Sequence, residues 1–336
     1  MKTYFLPIAK IALVLVYLVI FAGALVRMTG SGMGCPDWPK CFGYYIPPTN
    51  EKELEFTPNR DYVSGQVIIK NKGLLVAKTD FVATETFNKK NWEAYTKHDY
   101  AIFNPLHTWI EYINRLLGAL AGIACFAVFI LAFWHWKNNK KLAIYAFIIC
   151  ILMGFQAWLG KTVVDSLLSP VKITTHMLVA FLIVALQLYL IYYFQKKKVL
   201  RKIYNSKFRL VIIFGVILTI IQVVLGTSVR EYVDTISETG LPKENWLQNP
   251  EITFYIHRSF SILVTLTNLY LFYLNRKLTL GFRKINWVMA ILVLEIISGI
   301  IMYYFYFPFS TQTIHIVMAS LLFGFQFYLL LESKKQ

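Results

Sequence analysis

Long runs of apolar residues alternate with short polar segments along almost the whole chain. A helix needs about 20 predominantly apolar residues to cross a bilayer, and eight runs reach or approach that length. The pattern therefore predicts an all-α integral membrane protein with eight transmembrane helices. We place these helices at about 8–26, 106–134, 142–162, 173–194, 210–229, 253–275, 287–306 and 311–331.

The first apolar run also has features of a secretory signal peptide. It lacks a small-residue cleavage pattern, so we interpret it as the first membrane helix. No segment typical of an organelle transit peptide precedes it, which favours the cytoplasmic (inner) membrane of a bacterium as the location.

The composition agrees with a bilayer as the solvent, because 57% of the residues are hydrophobic and only 15% are charged. The net charge of +16 raises nucleic-acid binding as an alternative. However, 18 Lys and Arg residues fall in the two terminal segments and in three alternate loops, which together contain one acid, Glu332. This asymmetry is the positive-inside pattern. It predicts that both termini are cytoplasmic and argues against nucleic-acid binding. The three loops are Lys137 to Lys141, Lys196 to Arg209 and Arg276 to Lys284.

Three sequence patterns occur twice in the same order along the chain. Each half begins on the same side of the membrane, so the repetition predicts two four-helix halves, residues 1–200 and 201–336. A pseudo-twofold axis along the membrane normal would relate them. The matching pairs are Gly23 to Arg27 with Gly226 to Arg230, Asn114-Arg115 with His257-Arg258, and His176, Ala180 and Gln187 with His315, Ala319 and Gln326.

The first outer loop is longer than its counterpart and contains an insertion at about 42–105. Alternating residues on both sides of Asn71-Lys72-Gly73 predict a short β-hairpin within it. Cys35 and Cys41 lie just before the insertion, in a compartment where a disulfide can persist. Cys125 and Cys150 lie inside helices, where we expect them to pack as small apolar groups.

Four of the six histidines lie near the outer ends of even-numbered helices: His107, His176, His257 and His315. Polar groups inside a membrane are expensive and usually mark a site, and two facing imidazoles are a common way to hold heme iron. The equivalent depths of His257 and His315 favour this arrangement. The alternative is that each histidine only hydrogen-bonds a neighbouring helix. We interpret His135 as an interfacial residue, and His98 has no evident partner.

Glu111 is the most conspicuous carboxylate, because it lies about one turn inside the second helix. The helical period places it on the same face as His107 and Asn114. Two interpretations stay open. Arg115 can neutralise it as an ion pair, or Glu111 can accept a proton or stabilise positive charge beside a substrate.

Other charged residues recur near the same surface or inside helices. Arg27, Arg115, Arg230 and Arg258 suit heme propionates, with interfacial placement as the alternative. Glu295 lies in mid-helix, four residues before a glycine, in the same way as Gln156 and Gln222. We expect Glu295 to take part in helix packing, and a proton path is the alternative.

The segment from Val26 to Gly43, VRMTGSGMGCPDWPKCFG, strongly resembles the heme A synthase family (CtaA/Cox15). The context from Glu111 to Arg115, the His257-Arg258 pair and the histidines that open helices 4 and 8 are also similar to that family. The resemblance covers the whole chain except about 45–100.

The resemblance implies a specific reaction. Members of the family oxidise the C8 methyl group of heme O to a formyl group by successive hydroxylations, which gives heme A for terminal oxidases. The C-terminal half resembles a cofactor domain, with heme b between His257 and His315 and with Arg258 beside it. The N-terminal half resembles a catalytic domain, with Glu111 as the catalytic residue and His176 as a ligand of the substrate heme. Cys35 and Cys41 match a cysteine pair that takes part in electron transfer.

The sequence departs from the family pattern at Asn114, where many members have a second histidine. Asparagine is a poor iron ligand, so His176 alone would hold the substrate iron and leave one position open. His107 is a possible substitute. It lies two turns away, however, which is about 10 Å along the helix.

Other classes of protein fit parts of the pattern. A diheme b-type cytochrome needs histidines near both membrane faces, whereas the candidate ligands cluster at one. A non-catalytic heme carrier or oxidase assembly protein could have lost activity through Asn114. A transporter is disfavoured because no pathway of polar residues reaches the cytoplasmic side. Candidate partners of the enzyme are heme O synthase, a quinone, oxidase assembly factors and a second copy of the chain.

Overall fold

The computed structural model describes residues 2–71, 73–96, 103–137, 139–195 and 202–335, and these form eight α-helices. The predicted all-α architecture is confirmed, and each predicted helix overlaps one observed helix. The largest difference is α5, which ends at Glu238 rather than near residue 229. The helices are α1 Lys2–Met28, α2 Pro105–Phe133, α3 Lys140–Asp165, α4 Pro170–Gln195, α5 Ser206–Glu238, α6 Ile252–Lys277, α7 Ile285–Tyr304 and α8 Thr311–Glu332.

Seven of these helices are long and apolar enough to cross a bilayer, so the chain is a multi-pass membrane protein. The helix outside this set is α6, which has 26 residues but carries many polar side chains. Asn268 of α6 is fully buried, and its Oδ1 accepts a hydrogen bond of 2.9 Å from Gln326 Nε2 of α8. Asn268 therefore lowers the mean hydropathy of α6, although its side chain is paired inside the protein and is not exposed to lipid. The expected span at 253–275 is therefore confirmed as a helix, and its crossing stays a prediction.

The helices pack as two closed rings, α1 to α4 and α5 to α8. Helices α1 and α4 of the first ring contact α8 of the second, and α4 also contacts α5. Phe181 of α4 stacks on Phe323 of α8 with ring centroids 4.8 Å apart, and both side chains are buried. One apolar core therefore runs through both rings.

Asparagine side chains fix the start of three of the helices. Asn104, Asn139 and Asn205 each accept a hydrogen bond from a backbone N–H in the first turn of α2, α3 and α5. Such a cap satisfies one of the amide groups that the helix itself leaves unpaired. For α2, this contact fixes where the helix with Glu111 begins.

The loop between α1 and α2 folds into five short strands. The predicted hairpin is confirmed as the antiparallel pair β2 and β3, in which Lys70 pairs with Gly73. A third strand, β5, joins β3, and β1 pairs separately with β4. We call the end of the bundle that carries this loop the insertion side. The strands are β1 Asp61–Tyr62, β2 Val67–Lys70, β3 Gly73–Ala77, β4 Phe81–Val82 and β5 Trp92–Ala94.

A buried carboxylate organises the opposite end of the bundle. Glu332, at the end of α8, is 5% exposed and forms ion pairs with Lys202 and Lys284. The Lys202 side chain is itself only 11% exposed. Glu332 was the one acid in the basic segments of the sequence, and it connects the residues that precede α5 and α7 to the end of α8.

Replacing Glu332 with Gln should lower the thermal stability of the protein. The change leaves Lys202 charged and largely buried without its carboxylate, and breaking a buried ion pair costs about 3 kcal/mol. The matched control is Lys161→Met, which removes a pair between two side chains that are 41% and 36% exposed. Such a pair contributes roughly 0–1 kcal/mol. Circular dichroism of the detergent-solubilised variants measures both melting temperatures, and equal shifts would contradict the prediction.

Candidate functional site

Three histidines on the insertion side rest against glycines of the preceding helix. A Cβ atom placed on Gly226 of α5 would lie 3.1 Å from Cε1 of His257. The corresponding distances are 3.6 Å from Gly160 of α3 to His176 and 3.7 Å from Gly299 of α7 to His315. Each ring therefore occupies the volume that a side chain on the neighbouring helix would fill. We call such a pair, a glycine on an odd-numbered helix and the side chain that covers it, a station.

One turn before the glycine of two stations, an amide side chain fixes the backbone of the histidine. Gln156 Nε2 donates to the carbonyl oxygen of His176 at 2.9 Å, and Gln222 Nε2 donates to that of His257 at 3.0 Å. The sequence shows the spacing of glutamine and glycine but not its partner. The contact becomes visible only when the two helices are side by side.

The third station uses a carboxylate at the same position. Glu295 Oε2 lies 2.7 Å from His315 Nδ1, and the Oγ atom of Ser298 lies 2.8 Å from the same nitrogen. These contacts fix the orientation of the ring. Glu295 therefore takes part in helix packing, as expected, and its packing partner is a candidate iron ligand.

A fourth station has the same geometry but no histidine. Gly23 of α1 faces Asn114 of α2, and a Cβ atom on Gly23 would lie 3.8 Å from Asn114 Oδ1. That oxygen is buried and has no hydrogen-bond partner among the described residues. Val19 stands four residues before Gly23, where the other stations have glutamine or glutamate.

The rings of His257 and His315 are neighbours in an edge-on arrangement, with centroids 6.5 Å apart and planes at 70°. Two metal–nitrogen bonds of about 2 Å, plus about 1 Å from each nitrogen to its ring centre, give a separation of about 6 Å. The Nδ1 atoms of His257 and His176 are buried without a hydrogen-bond partner in the described parts of the chain. The observed spacing therefore fits a metal ion between His257 and His315.

Glu111 is 3% exposed and connects α2 to the loop closed by the Cys35–Cys41 disulfide. Its Oε2 accepts a hydrogen bond of 2.8 Å from the Cys35 backbone N–H, and its Oε1 pairs with Arg115. Arg115 also donates to the carbonyl oxygens of Asp37 and Lys40, at 2.8 and 3.0 Å. The ion pair that the sequence left open is thus present, and it holds the disulfide loop against α2.

Inside this loop, the Asp37 carboxylate accepts hydrogen bonds from the backbone N–H groups of Phe42, at 2.5 Å, and Gly43, at 2.8 Å. Burial raises the pKa of Asp37, whereas the two N–H groups and nearby Arg115 act to lower it. Gly34 lies so close to the start of α2 that a Cβ atom there would be 2.5 Å from the carbonyl oxygen of His107. Only glycine fits this contact between loop and helix.

The arginines predicted near this surface have protein partners in the structure. Asp234 of α5 binds Arg27 of α1 at 2.9 Å and Arg230 at 2.5 Å. Sequence reasoning missed Asp234, because its role requires α1 and α5 to be neighbours. Arg258 is exposed, with its guanidinium group 5.4 Å from the centre of the Tyr255 ring.

The remaining histidines differ in position. His107 lies in the first turn of α2 and is half-buried. His135 lies beyond the other end of α2, with Nδ1 2.9 Å from the carbonyl oxygen of Leu131. His98 lies outside the described residues. The histidines of the three stations and His107 therefore share the insertion side.

Comparisons with known proteins agree on one family. The model of the COX15-CtaA family, described as cytochrome oxidase assembly protein, matches residues 8–327. Heme A synthase of Ehrlichia canis (strain Jake) is 26% identical, with 94% of this chain and 89% of the relative covered. Heme A synthase of Wolbachia pipientis wMel is 24% identical over 96% of this chain and 91% of the relative. That of Bartonella tribocorum is 24% identical over 91% and 86%.

Replacing Glu111 with Ala should expose the Cys35–Cys41 disulfide to reductants. The change removes the acceptor of the Cys35 N–H and the partner of Arg115, contacts worth about 1.5 kcal/mol. We expect reduction to become about tenfold faster, measured as thiol labelling over time in a water-soluble phosphine. Glu295→Ala is the control, because the Glu295 carboxylate contacts His315 and not the disulfide loop. An unchanged rate for Glu111→Ala would show that the ion pair does not hold the loop.

Proposed function

The chain belongs to the COX15-CtaA family of cytochrome oxidase assembly proteins, and from this premise we propose that it is a heme A synthase. It would be an oxidoreductase that converts the C8 methyl group of heme O to the formyl group of heme A, as the names of its relatives suggest. The observation that carries the proposal is the pair of imidazoles at 6.5 Å in one helix ring, together with Glu111 held beneath a disulfide loop in the other.

In this proposal, His257 and His315 hold heme b in the ring of α5 to α8. Heme b would supply one-electron transfer there. Gln222 and Glu295 fix the two ligands from the neighbouring helices. Arg258, at the start of α6, is available to a heme propionate. The spacing of the two rings and the orphaned Nδ1 atom of His257 support this assignment.

The ring of α1 to α4 would bind heme O as the substrate through His176, with Asn114 on the opposite face. The long apolar tail of heme O partitions into the bilayer, which explains why the catalyst is a membrane protein. Oxidation of the methyl group proceeds through two hydroxylations, each of which takes an oxygen atom from water and releases a pair of protons and a pair of electrons. Loss of water from the product leaves the aldehyde.

Glu111 would accept protons or stabilise positive charge beside the methyl group. Arg115 keeps this carboxylate in place, and three of its contacts go to Glu111 and to two loop carbonyl groups. The Cys35 N–H of the disulfide loop donates to Glu111, and the disulfide would accept one pair of electrons and two protons when it opens to two thiols. An external oxidant of the quinone class would then have to reoxidise the thiols between the two hydroxylations. His107, at the start of α2, is a further candidate contact to the substrate.

We propose that the insertion side faces away from the cytoplasm in a bacterial inner membrane. Glu332 pairs with Lys202 and Lys284 at the other side, which carries the basic segments, in agreement with the positive-inside rule. In this arrangement α6 is the eighth span, and residues 1–200 and 201–336 form two halves with a pseudo-twofold axis. The recurrence of the stations in both rings supports this symmetry.

A non-catalytic heme carrier or oxidase assembly protein is the second candidate. One observation favours it, because Asn114 replaces the imidazole at one of the four stations. A diheme cytochrome that moves electrons across the membrane is disfavoured, since the described histidines that face other helices lie on the insertion side. Product analysis separates the carrier from the enzyme.

The proposal predicts that heme A is formed when the chain is expressed together with a heme O synthase in a host that lacks heme A. Extracted hemes are separated by chromatography and identified by mass. Glu111→Ala should reduce heme A at least about 100-fold, the contribution of a general base, without loss of heme b. His135→Ala, at the other end of α2, is the control. Bound heme b with unreacted heme O in the unmodified protein would identify a carrier instead.

The geometry of the stations predicts that Gly226→Leu lowers the heme b content to that of His257→Ala. The new side chain needs the space of the His257 ring, which begins 3.1 Å from its Cβ position. Gly118→Leu is the matched control, because a Cβ atom there has no heavy atom of another described helix or loop within 4 Å. Reduced-minus-oxidised spectra of the purified proteins measure heme b. Equal content in the two leucine variants would contradict the role of the glycine.

A further inference from the structure

The station of Gly23 and Asn114 differs from the other three at two positions at once. Asn114 replaces the imidazole, and Val19 replaces the glutamine or glutamate that contacts the histidine in each of the others. The backbone geometry is retained, because Gly23 still faces the side chain of Asn114. The change therefore affects the chemistry of this position and leaves the helix packing in place.

Asn114 brings a hydrogen-bond acceptor to this position, and no described residue donates to it. Its Oδ1 atom is buried and accepts no hydrogen bond from the described residues. A buried acceptor without a donor costs about 1–3 kcal/mol. Val19, the nearest equivalent of Gln156 and Gln222, has no polar group to offer. No donor among the described residues meets this oxygen, so we look for the donor in a bound molecule.

The size of the donor follows from the length of the side chain. An asparagine amide ends roughly 1 Å before the point that the far nitrogen of an imidazole reaches from the same backbone. If a heme lies between Asn114 and His176, as another is expected to lie between His257 and His315, the amide stops short of the iron. Water is small enough to lie beside the amide, and it has the O–H donors that Oδ1 lacks.

We propose that Asn114 is the polar wall of a binding site for water, on the face of the substrate heme opposite His176. This inference rests on the proposed function and deepens it, since water is the oxygen donor for the hydroxylation. The two helix rings then differ in purpose: two imidazoles close both faces of the heme in the electron-transfer site, whereas the substrate site keeps one face open. Asn114 is a positioning residue for the water and not an iron ligand.

The test measures the coordination of the substrate heme and not its turnover. Full-length protein is loaded with heme O in a Glu111→Gln background, so that the substrate is not consumed. Resonance Raman and electron paramagnetic resonance spectra then separate a high-spin substrate heme from the low-spin heme b. In the protein with Asn114, we expect the iron of the substrate heme to be six-coordinate and high-spin. In Asn114→Leu, which cannot hold water, we expect it to be five-coordinate.

Asn114→His should convert the same heme to a six-coordinate low-spin form and abolish carbon monoxide binding after reduction. If this variant binds heme poorly, Val19→Gln combined with Asn114→His restores the amide of the other imidazole stations. If the substrate heme is low-spin and does not bind carbon monoxide in the protein with Asn114, the inference is overturned. Another side chain would then occupy the iron position opposite His176. Unchanged spectra in Asn114→Leu would also overturn it.

Failure of the proposed function gives a different result. Heme A formation is assayed separately in the chain with Glu111 intact. Heme A with a low-spin substrate heme refutes the water site and leaves the synthase standing. The expected spectra without any heme A would support the water site in a protein that is a carrier.

Discussion

A polar side chain inside a bilayer needs a protein partner, and this requirement determines where the functional residues of the chain lie. The stations share one device, a glycine that lets a neighbouring helix present an imidazole or an amide to the interior. At two of them a glutamine one turn away anchors the backbone of the histidine. The same glycine contact therefore determines how each helix pair packs and where its candidate ligand lies.

The disulfide loop depends on the same constraint. Glu111 would be costly within α2, but Arg115 and the Cys35 N–H satisfy its two oxygens. The loop in turn obtains its position from α2, since Arg115 binds two of its carbonyl groups. Residues that are 76 positions apart in sequence thus hold each other in place.

Hydropathy alone predicts the helices, because a chain in lipid must satisfy its backbone internally and helices do so locally. The mean hydropathy of α6 is too low to mark it as a span, because the scale counts Asn268 as polar although its side chain is paired with Gln326. The hairpin of β2 and β3 was predictable from its turn, whereas β5 has three residues and no local signal. Sequence reasoning found the histidines, Asn114 and Glu111, and their roles as ligands and catalyst stay predictions. It missed Asp234 and the partners of Gln156 and Gln222, since a local sequence pattern does not show which side chains of two packed helices meet.

The contact of Asp234 with both Arg27 and Arg230 has a consequence for the origin of the chain. The two arginines stand in matching sequence contexts in the two halves, yet they share one carboxylate, contributed by the second half alone. Two identical subunits related by an axis would each contribute an equivalent aspartate. Two carboxylates of equal charge would then lie beside the two arginines. Joining both halves in a single gene allows one copy to lose what the other keeps. The two halves are thereby free to diverge in sequence at this contact.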